Sequence, residues 1–303
     1  MKSEISNSKQ RITWISILQA IAIIAIVIGH LDIDGDLNPN HPIANWIEQF
    51  MQFGLATFFF ISGYLYVRSS QYDKSYPHLL KAKFIRLLIP YIFMTLVMLV
   101  IKNAMPSMMS RKAEYSFAYI VNAFLYPWDG PARHVWFLAS LFSFFALIPL
   151  YKWTIQKKNS SIITIAILFL IQQLSSAIPY TSLLAIDRSV QFFIYFYLGM
   201  VMMKYNLISK LHNLYTFWAC LLLYIVGSFY KIPLQTYWGI GMIMSFSYLL
   251  AKRERKQMMS WYKNISKYSY QIYLMHFPPI FLGRMIFNKH FIHSDLLWFP
   301  ICQ

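Results

Sequence analysis

The chain has 303 residues, of which 58% are hydrophobic, 18% are aromatic and only 13% are charged, whereas a soluble protein carries roughly 25% charged residues. The apolar residues form blocks of about 15 to 22, the length that crosses roughly 30 Å of hydrocarbon as an α-helix, and this pattern excludes a soluble globular domain. The net charge of +16 does not indicate a nucleic-acid partner, because the basic residues lie in short connectors between the apolar blocks.

The apolar blocks predict nine transmembrane helices and part of a tenth. In chain order the nine lie at roughly 12–31, 49–67, 87–105, 134–151, 161–178, 190–203, 214–230, 236–251 and 268–287. The segment DLLWFPICQ that follows rises only about 14 Å as a helix, so the tenth is predicted to be incomplete. The predicted fold is all-α, a polytopic integral membrane helical bundle of about ten transmembrane helices, with 1–303 forming one membrane-embedded domain.

The distribution of charge predicts how the bundle lies in the membrane. If residues 1–11 form a cytoplasmic tail, the inner connectors hold 19 of the 27 Lys and Arg residues, and the first outer loop (LDIDGDLNPNHPIANWIEQ) holds four acids and no Lys or Arg. This bias predicts a cytoplasmic N-terminus. The outer segment 106–133 has apolar residues at helical spacing between Phe117 and Leu125, which predicts a short interfacial helix with Tyr126 and Trp128 at headgroup depth.

His30 ends the first predicted span, after eight apolar residues and a glycine (IAIIAIVIGH). One interpretation is a solvated interfacial histidine without a role. An ionisable residue at membrane depth is, however, typically retained because something uses it, and an imidazole poor in surrounding water is neutral and able to act as a base. A base beside a hydroxyl is what acyl transfer to an alcohol requires. His30 is therefore the candidate catalytic residue.

Gln19 lies eleven residues before His30. At about 100° per residue the two side chains share one face of the helix and lie roughly 16 Å apart along its axis. Gln19 thus places a polar group at mid-depth on the side that carries His30, which favours a site extending along the span. A hydrogen bond from Gln19 to a neighbouring helix is the alternative interpretation.

Three basic residues, Lys81, Lys83 and Arg86, stand at the cytoplasmic entrance to the third predicted span (KAKFIRLLIPY). They could serve only to set the topology. A phosphorylated cytoplasmic donor such as acyl-CoA would also need cations here, and the guanidinium fork of Arg86 matches a phosphate. We expect Pro90 and Tyr91 to bend or broaden the helix above Arg86.

Candidate acceptor-side residues occur in the fourth and ninth predicted spans. His134 and Trp136 open span four (HVWFLASLF), where an interfacial aromatic belt explains Trp136 and an aromatic wall for a sugar is the alternative. His276, next to two prolines, either makes an interhelical hydrogen bond or supplies a second polar wall facing His30. No metal site is predicted, because the eight histidines show no ligand spacing.

Five segments of the chain resemble motifs of the membrane-bound acyltransferase family 3, whose members acylate sugars of bacterial surface polysaccharides, lipopolysaccharide and other glycoconjugates. ILQAIAIIAIVIGH is similar to the family's opening helix, which ends on an essential histidine, and FFFISGYLYV to its second-helix motif. KAKFIRLLIPY, HVWFLASLF and SYQIYLMHFPPI resemble motifs of the third, fourth and C-terminal helices. One position departs from the family pattern, because members have Arg, or in a subset Lys, where this chain has Gln19.

The resemblance implies an enzyme of the bacterial cytoplasmic membrane that moves an acyl group from acetyl-CoA or another acyl-CoA to a hydroxyl of a carbohydrate or glycolipid. His30 would be the general base, the three basic residues would bind the donor, and the glutamine, the tryptophan and the two other histidines would support the acceptor. Two other functions stay open. A transporter or polysaccharide-export component would also have basic connectors and intramembrane polar residues, and loss of the family's arginine fits a catalytically degenerate relative.

Overall fold

A computed structural model of the chain describes residues 13–30, 51, 53–104, 116–128, 130–175, 183–208, 213–253, 261–280 and 282–283. These residues form helices and helical turns and contain no β-strand, so the all-α prediction is confirmed. The predictions of a cytoplasmic tail, a first outer loop and an incomplete tenth span concern residues outside those described.

The helices are numbered here in chain order. They are α1 (Thr13–Gly29), α2 (Phe53–Arg68), α3 (Tyr76–Ala104), α4 (Phe117–Leu125), α5 (Trp136–Ala146), α6 (Ile148–Thr154), α7 (Lys158–Ser175), α8 (Ile186–Lys204), α9 (Leu214–Phe229), α10 (Gln235–Arg253), α11 (Trp261–Lys267) and α12 (Ser269–Met275). The chain divides into two compact units: a terminal unit made of Met1–Ile61 and Asn206–Gln303, and a central unit made of Ser62–Tyr205. The assignment of 1–303 to one domain stays a prediction.

Apolar outer faces mark this chain as a membrane protein. On α7 a stripe of Ile163, Ile167, Leu170 and Leu174 follows helical spacing, and each of these side chains is 53% to 64% exposed. Contiguous apolar surface of this kind is rare on soluble monomers. In a membrane this surface would face lipid tails, which are as apolar as the side chains themselves, so its exposure carries no cost.

Among the described residues, two helices are long and apolar enough to cross a membrane, Tyr76–Ala104 and Leu183–Lys204. A third crossing is obtained if the bent pair α5 and α6 is taken as one span. The apolar helices α1, α2 and α9 are shorter. The 17 residues of α1 rise about 26 Å, a little less than the roughly 30 Å of hydrocarbon. The total of about ten spans therefore stays a prediction.

The third predicted span, 87–105, begins earlier than expected, at Tyr76, and contains a widened turn. The π turn Phe84–Leu88 closes when the Ile89 N–H donates to the carbonyl oxygen of Phe84. Pro90 has no N–H for the carbonyl of Arg86, and its ring crowds that turn, so the helix takes one extra residue there. The expectation that Pro90 broadens the helix beside Arg86 is confirmed.

Two other predicted spans are interrupted at prolines. Span 134–151 bends by 53° between α5 and α6, just before Pro149, whose missing N–H removes a helical hydrogen bond. At this bend the hydroxyl of Tyr76 donates to the carbonyl oxygen of Ala146 at 2.6 Å. Span 268–287 is divided at His276 into α12 and a further helical stretch at 277–280, because the two prolines that follow His276 withhold two N–H donors.

Within the central unit, α8 packs on α2 and α7. A Cβ added to Gly63 of α2 would lie 1.9 Å from the carbonyl oxygen of Phe196, so the two helix backbones touch at that glycine. On the other side, the Gln172 side-chain amide of α7 donates to the carbonyl oxygen of Gln191 at 2.7 Å. Small residues and interhelical hydrogen bonds of this kind are how helices associate in lipid.

Candidate functional site

In the terminal unit, one face of α1 packs on α11 and α12. The hydroxyl of Ser266 donates to Oε1 of Gln19 at 2.8 Å, and the ring of His30 lies 5.0 Å from the ring of His276, centroid to centroid. The side chains of Gln19 and His30 therefore face the same C-terminal segment, which confirms the predicted shared face.

His30 follows α1 directly and is tied to the last turn of that helix. Its backbone N–H donates to the carbonyl oxygens of Ile26 at 3.0 Å and Val27 at 3.1 Å, and its Nδ1 lies 2.7 Å from the Ile26 carbonyl oxygen. A carbonyl oxygen only accepts, so Nδ1 carries a proton. In the neutral ring Nε2 then holds the lone pair, and Nε2 is the atom that can take a proton from a hydroxyl.

His276 is held beside His30 in the same manner. It is 5% exposed, and its Nδ1 donates to the carbonyl oxygen of Tyr273 at 2.6 Å. The two imidazoles meet edge to face at 75°, and the ring of Phe277 lies 5.9 Å from His30. The structure thus brings His276 to His30, as the second-wall hypothesis required, while its role in acceptor binding stays a prediction.

Gln19 makes a hydrogen bond to a neighbouring helix, which was the alternative interpretation of this residue from the sequence. Its side-chain oxygen accepts the hydroxyl of Ser266 from α11, 247 residues further along the chain. The neutral amide of Gln19 therefore connects α1 to α11 by a hydrogen bond. It lacks the positive charge with which an arginine would stabilise an anion.

In the central unit, the three candidate donor-binding residues lie on α3. Lys81 and Arg86 are exposed, and Arg86 lies inside the π turn. Lys83 is half-buried, with its ammonium 3.9 Å from the ring centroid of Phe145, a cation–π contact that offsets part of the cost of its burial. Lys83 and Arg86 are close enough for their charges to interact. Their role in binding a donor stays a prediction.

His134 and Trp136 are both buried at the start of α5. His134 is 4% exposed in the turn Arg133–Val135, and Trp136 is 7% exposed. The Trp136 ring packs 6.4 Å from that of Trp128 and 5.6 Å from that of Phe192. An aromatic belt places tryptophan against lipid headgroups, so this burial favours an aromatic wall inside the protein.

Two arginines that the sequence did not single out converge on Trp128. The guanidinium carbon of Arg133 lies 3.4 Å from the Trp128 ring centroid, and that of Arg188 lies 2.9 Å from it. The two guanidinium carbons are consequently at most about 6.3 Å apart. Two like unit charges at that separation repel by at least about 0.7 kcal/mol in water and at least about 2.6 kcal/mol at an effective dielectric constant of 20. The negative face of the indole offsets part of that repulsion.

An unusual backbone conformation precedes Arg188. Leu184 (φ 53°, ψ 26°) and Ala185 (φ 55°, ψ 37°) are both left-handed and immediately precede α8. This conformation costs a non-glycine residue roughly 1–2 kcal/mol, and such strain tends to cluster at functional sites. The sequence signal available for this place is Asp187 followed by Arg188 at the start of an apolar block.

No group of three His, Cys, Asp or Glu side chains that could hold a metal ion occurs within the described part of the chain. The apolar helices and the paired imidazoles define an all-helical membrane protein with a histidine site. A family model for the acyltransferase domain of acyltransferase family 3 matches residues 12–302. The chain belongs to this family, and the resemblance of its motifs is confirmed. No curated protein and no solved structure matches the chain.

Proposed function

We propose that this protein is an integral membrane O-acyltransferase of the bacterial cytoplasmic membrane, with a cytoplasmic N-terminus. It transfers an acyl group, most simply acetyl, from acyl-CoA to a hydroxyl of a surface glycan or glycoconjugate. The observation that carries the proposal is the hydrogen bond between His30 Nδ1 and the Ile26 carbonyl oxygen, which leaves Nε2 as the basic atom, in a chain of an acyltransferase family.

In the proposed reaction, His30 Nε2 accepts the proton of the acceptor hydroxyl while the hydroxyl oxygen attacks the thioester carbonyl. The new C–O ester bond forms, the C–S bond breaks, and the resulting imidazolium returns the proton to the departing thiolate. The Ile26 carbonyl oxygen accepts from Nδ1 throughout, so it holds the ring in place and stabilises the positive charge that develops on it.

The donor is proposed to bind through Lys81, Lys83 and Arg86, whose positive charges suit the phosphates of CoA. Support comes from Arg86, which stands in a π turn of the kind often found at functional sites. With the donor entering from the cytoplasm and the acceptor from the opposite side, the acyl group, or the thioester arm that carries it, has to traverse the helical bundle to reach His30.

The decisive experiment compares the replacement of His30 by Asn with the same replacement at a second histidine, in cells whose surface glycan is analysed for acyl esters. Asn at position 30 keeps an N–H donor near the site of Nδ1 and can retain the bond to Ile26, but it has no basic atom. We expect His30→Asn to lower ester formation roughly 10²- to 10⁴-fold at unchanged protein level. His78→Asn, at an exposed histidine of α3, is the matched control.

Each alternative function has its own outcome in that experiment. Full esterification in His30→Asn refutes the general base. Lost export with no ester in any strain identifies a polysaccharide-export component, whereas normal export with lost esters supports the enzyme.

A second candidate, a catalytically degenerate relative, is favoured by the Gln19–Ser266 hydrogen bond, because the position that carries the family's cation holds two helices together here. If the wild type forms no esters because the enzyme is only weakened, Gln19→Arg should restore ester formation. If the Gln19→Arg protein accumulates normally and still forms no esters, the result supports a catalytically inactive relative with a binding role.

A further inference from the structure

We infer that the donor site of the central unit extends from Lys83 to Lys152, and that Lys152 pairs with the 3′-phosphate of CoA. The site, called the Tyr–Lys cluster below, consists of Tyr66, Tyr72, Lys83, Phe145 and Lys152, all within the central unit. The inference rests on the proposed function and deepens it, because it names the residue that selects CoA over a donor without the 3′-phosphate.

Contacts among aromatic rings connect the two lysines. The ring of Tyr66 lies 5.8 Å from that of Phe145 and 5.6 Å from that of Tyr72, centroid to centroid. The Lys83 ammonium lies over Phe145 at 3.9 Å, and the Lys152 ammonium lies over Tyr72 at 4.3 Å. The Lys152 ammonium also donates to the carbonyl oxygen of Tyr72. Two separate cations are therefore held in defined places around Tyr66.

CoA suits this arrangement because it carries two separate anionic groups, the diphosphate and the 3′-phosphate of its ribose. Lys83 lies close enough to Arg86 for their charges to interact, and a pair of cations suits the diphosphate. Lys152 is then the cation for the 3′-phosphate, a monoester with about 1.5 to 2 negative charges near pH 7. A single inorganic phosphate would use only one of these two places.

The Tyr66 hydroxyl is an independent indication that the cluster takes a ligand. Tyr66 is 3% exposed, and its hydroxyl has no hydrogen-bond partner among the described residues. An unpaired buried hydroxyl is unfavourable, and native proteins pair the large majority of such groups. Tyr72, Lys83 and Lys152 around it are only half-buried. A phosphate that binds the ammonium groups can therefore approach the Tyr66 hydroxyl and accept its hydrogen bond.

The competing explanation is that Lys152 only ties α6 to the turn Ser70–Asp73. Its ammonium contacts Tyr72 twice, and positive charge at the inner membrane boundary can serve topology alone. Asp73 is exposed and adds a negative charge that acts on Tyr66 and Tyr72, which would weaken phosphate binding. A structural role predicts that Lys152→Gln lowers stability and leaves selectivity between CoA derivatives unchanged.

The test measures binding of CoA and dephospho-CoA, which lacks only the 3′-phosphate, by isothermal titration calorimetry. The purified full-length protein is placed in phosphatidylcholine nanodiscs. We expect CoA to bind at least about tenfold more tightly than dephospho-CoA, because a hydrogen bond between two charged groups is among the strongest in proteins. Equal binding of the two ligands by the wild type overturns the inference.

Variants of the lysines assign the preference to one residue. Lys152→Gln keeps an N–H donor for the Tyr72 carbonyl oxygen but loses the charge, and it should abolish the preference, whereas Lys152→Arg should retain it. Lys83→Gln should weaken both ligands by the same factor, because both carry the diphosphate. Lys158→Gln removes an exposed charge at the start of α7 and should preserve the preference. A preference that persists in Lys152→Gln overturns the assignment.

Tyr66→Phe tests the site without changing its charge. Because the hydroxyl has no partner among the described residues, its removal should not lower stability against unfolding. We expect the substitution to weaken CoA binding about tenfold, since it removes a hydrogen bond to a charged phosphate. An unchanged affinity would show that the phenol does not contact the donor and would overturn its place in the site.

A lipid headgroup is the other source of a phosphate near these lysines. The titrations are therefore repeated in nanodiscs that contain phosphatidylglycerol. The difference in preference between the wild type and Lys152→Gln should persist there, because both proteins experience the same charge of the lipid surface. Disappearance of that difference would assign Lys152 to the headgroup and overturn the inference.

The outcomes separate this inference from the proposed function. A wild type that binds neither CoA nor dephospho-CoA refutes acyl-CoA as the donor, and both proposals fail. If CoA binds and ester formation depends on His30, while Lys152→Gln keeps the preference for CoA, the inference fails and the proposed function remains.

Discussion

Gly63 offers the sharpest structural test in the central unit, because α2 and α8 touch there through their backbones. A Cβ at position 63 would lie 1.9 Å from the carbonyl oxygen of Phe196, 2.9 Å from the Phe196 carbonyl carbon and 3.3 Å from the Met200 nitrogen. All three atoms are backbone, so no rotamer change can make room. To reach even 3.0 Å, the shortest separation that real Cβ atoms show, the methyl group must retreat by about 1.1 Å.

The cost of Gly63→Ala follows from that displacement. A radial gap of about 0.5–1 Å forfeits a quarter to a half of the dispersion energy between facing atoms. Phe196 and Met200 are fully buried. If each loses half the attraction of about 20 contacts worth roughly 0.1–0.2 kcal/mol apiece, the loss totals about 2–4 kcal/mol. This range overlaps the usual cost of overpacking a core, about 1–3 kcal/mol.

The assay is unfolding in mixed micelles by titration with sodium dodecyl sulfate, followed by tryptophan fluorescence. Gly241→Ala is the matched control, because its Cβ would meet only the Cys220 side chain, with Sγ at 2.9 Å, and a thiol can rotate away. Replacing a helical glycine by alanine also gains about 1 kcal/mol of helix propensity, so Gly241→Ala should be neutral or stabilising. Equal effects of the two substitutions would refute backbone contact between α2 and α8.

Three further predictions concern single contacts and use the same unfolding measurement. A double-mutant cycle of Gln19→Ala and Ser266→Ala should give a coupling of about 0.6 kcal/mol, the average for interhelical hydrogen bonds in a membrane protein; zero coupling would contradict the bond. Tyr76→Phe should destabilise the protein by about 0.5–1.5 kcal/mol, because it removes the hydroxyl that donates to the Ala146 carbonyl oxygen at the bend. An unchanged free energy of unfolding would contradict that hydrogen bond. Lys231→Gly should stabilise it by about 1 kcal/mol, because Lys231 is exposed and left-handed (φ 52°); destabilisation would contradict that conformation.

Hydropathy predicted where helices occur and missed where they begin and bend. The predicted span 87–105 began only after the cationic segment KAKFIR, whereas the helix begins earlier, at Tyr76. Lysine and arginine are good helix formers, so a polar stretch ends an apolar block without ending the hydrogen-bonded backbone. The bend before Pro149 was missed for the converse reason. Proline leaves the hydropathy of a segment intact while removing a backbone donor.

The candidate site was predictable as far as local periodicity reaches. The spacing of eleven residues placed Gln19 and His30 on one face, and the structure finds both against the C-terminal helices. Their partners could not be predicted, because Ser266 lies 247 residues away from Gln19 and only tertiary packing selects it. The convergence of Arg133 and Arg188 on Trp128 likewise joins three separate elements, and no local pattern encodes that.

The two pairings of α1 also define the relative direction of two segments that are far apart in sequence. Gln19 meets Ser266 and, eleven residues later, His30 meets His276, ten residues after Ser266. Because both partners advance together, α1 and the segment of α11 and α12 run parallel. Two parallel transmembrane segments must be separated by an odd number of intervening crossings, which agrees with seven predicted spans between the first and the ninth. Parallel packing also puts the two imidazoles at the same end of both segments, roughly 16 Å along the axis from the contact between Gln19 and Ser266. A motif of the opening helix and a motif of the C-terminal helix can therefore act on one substrate.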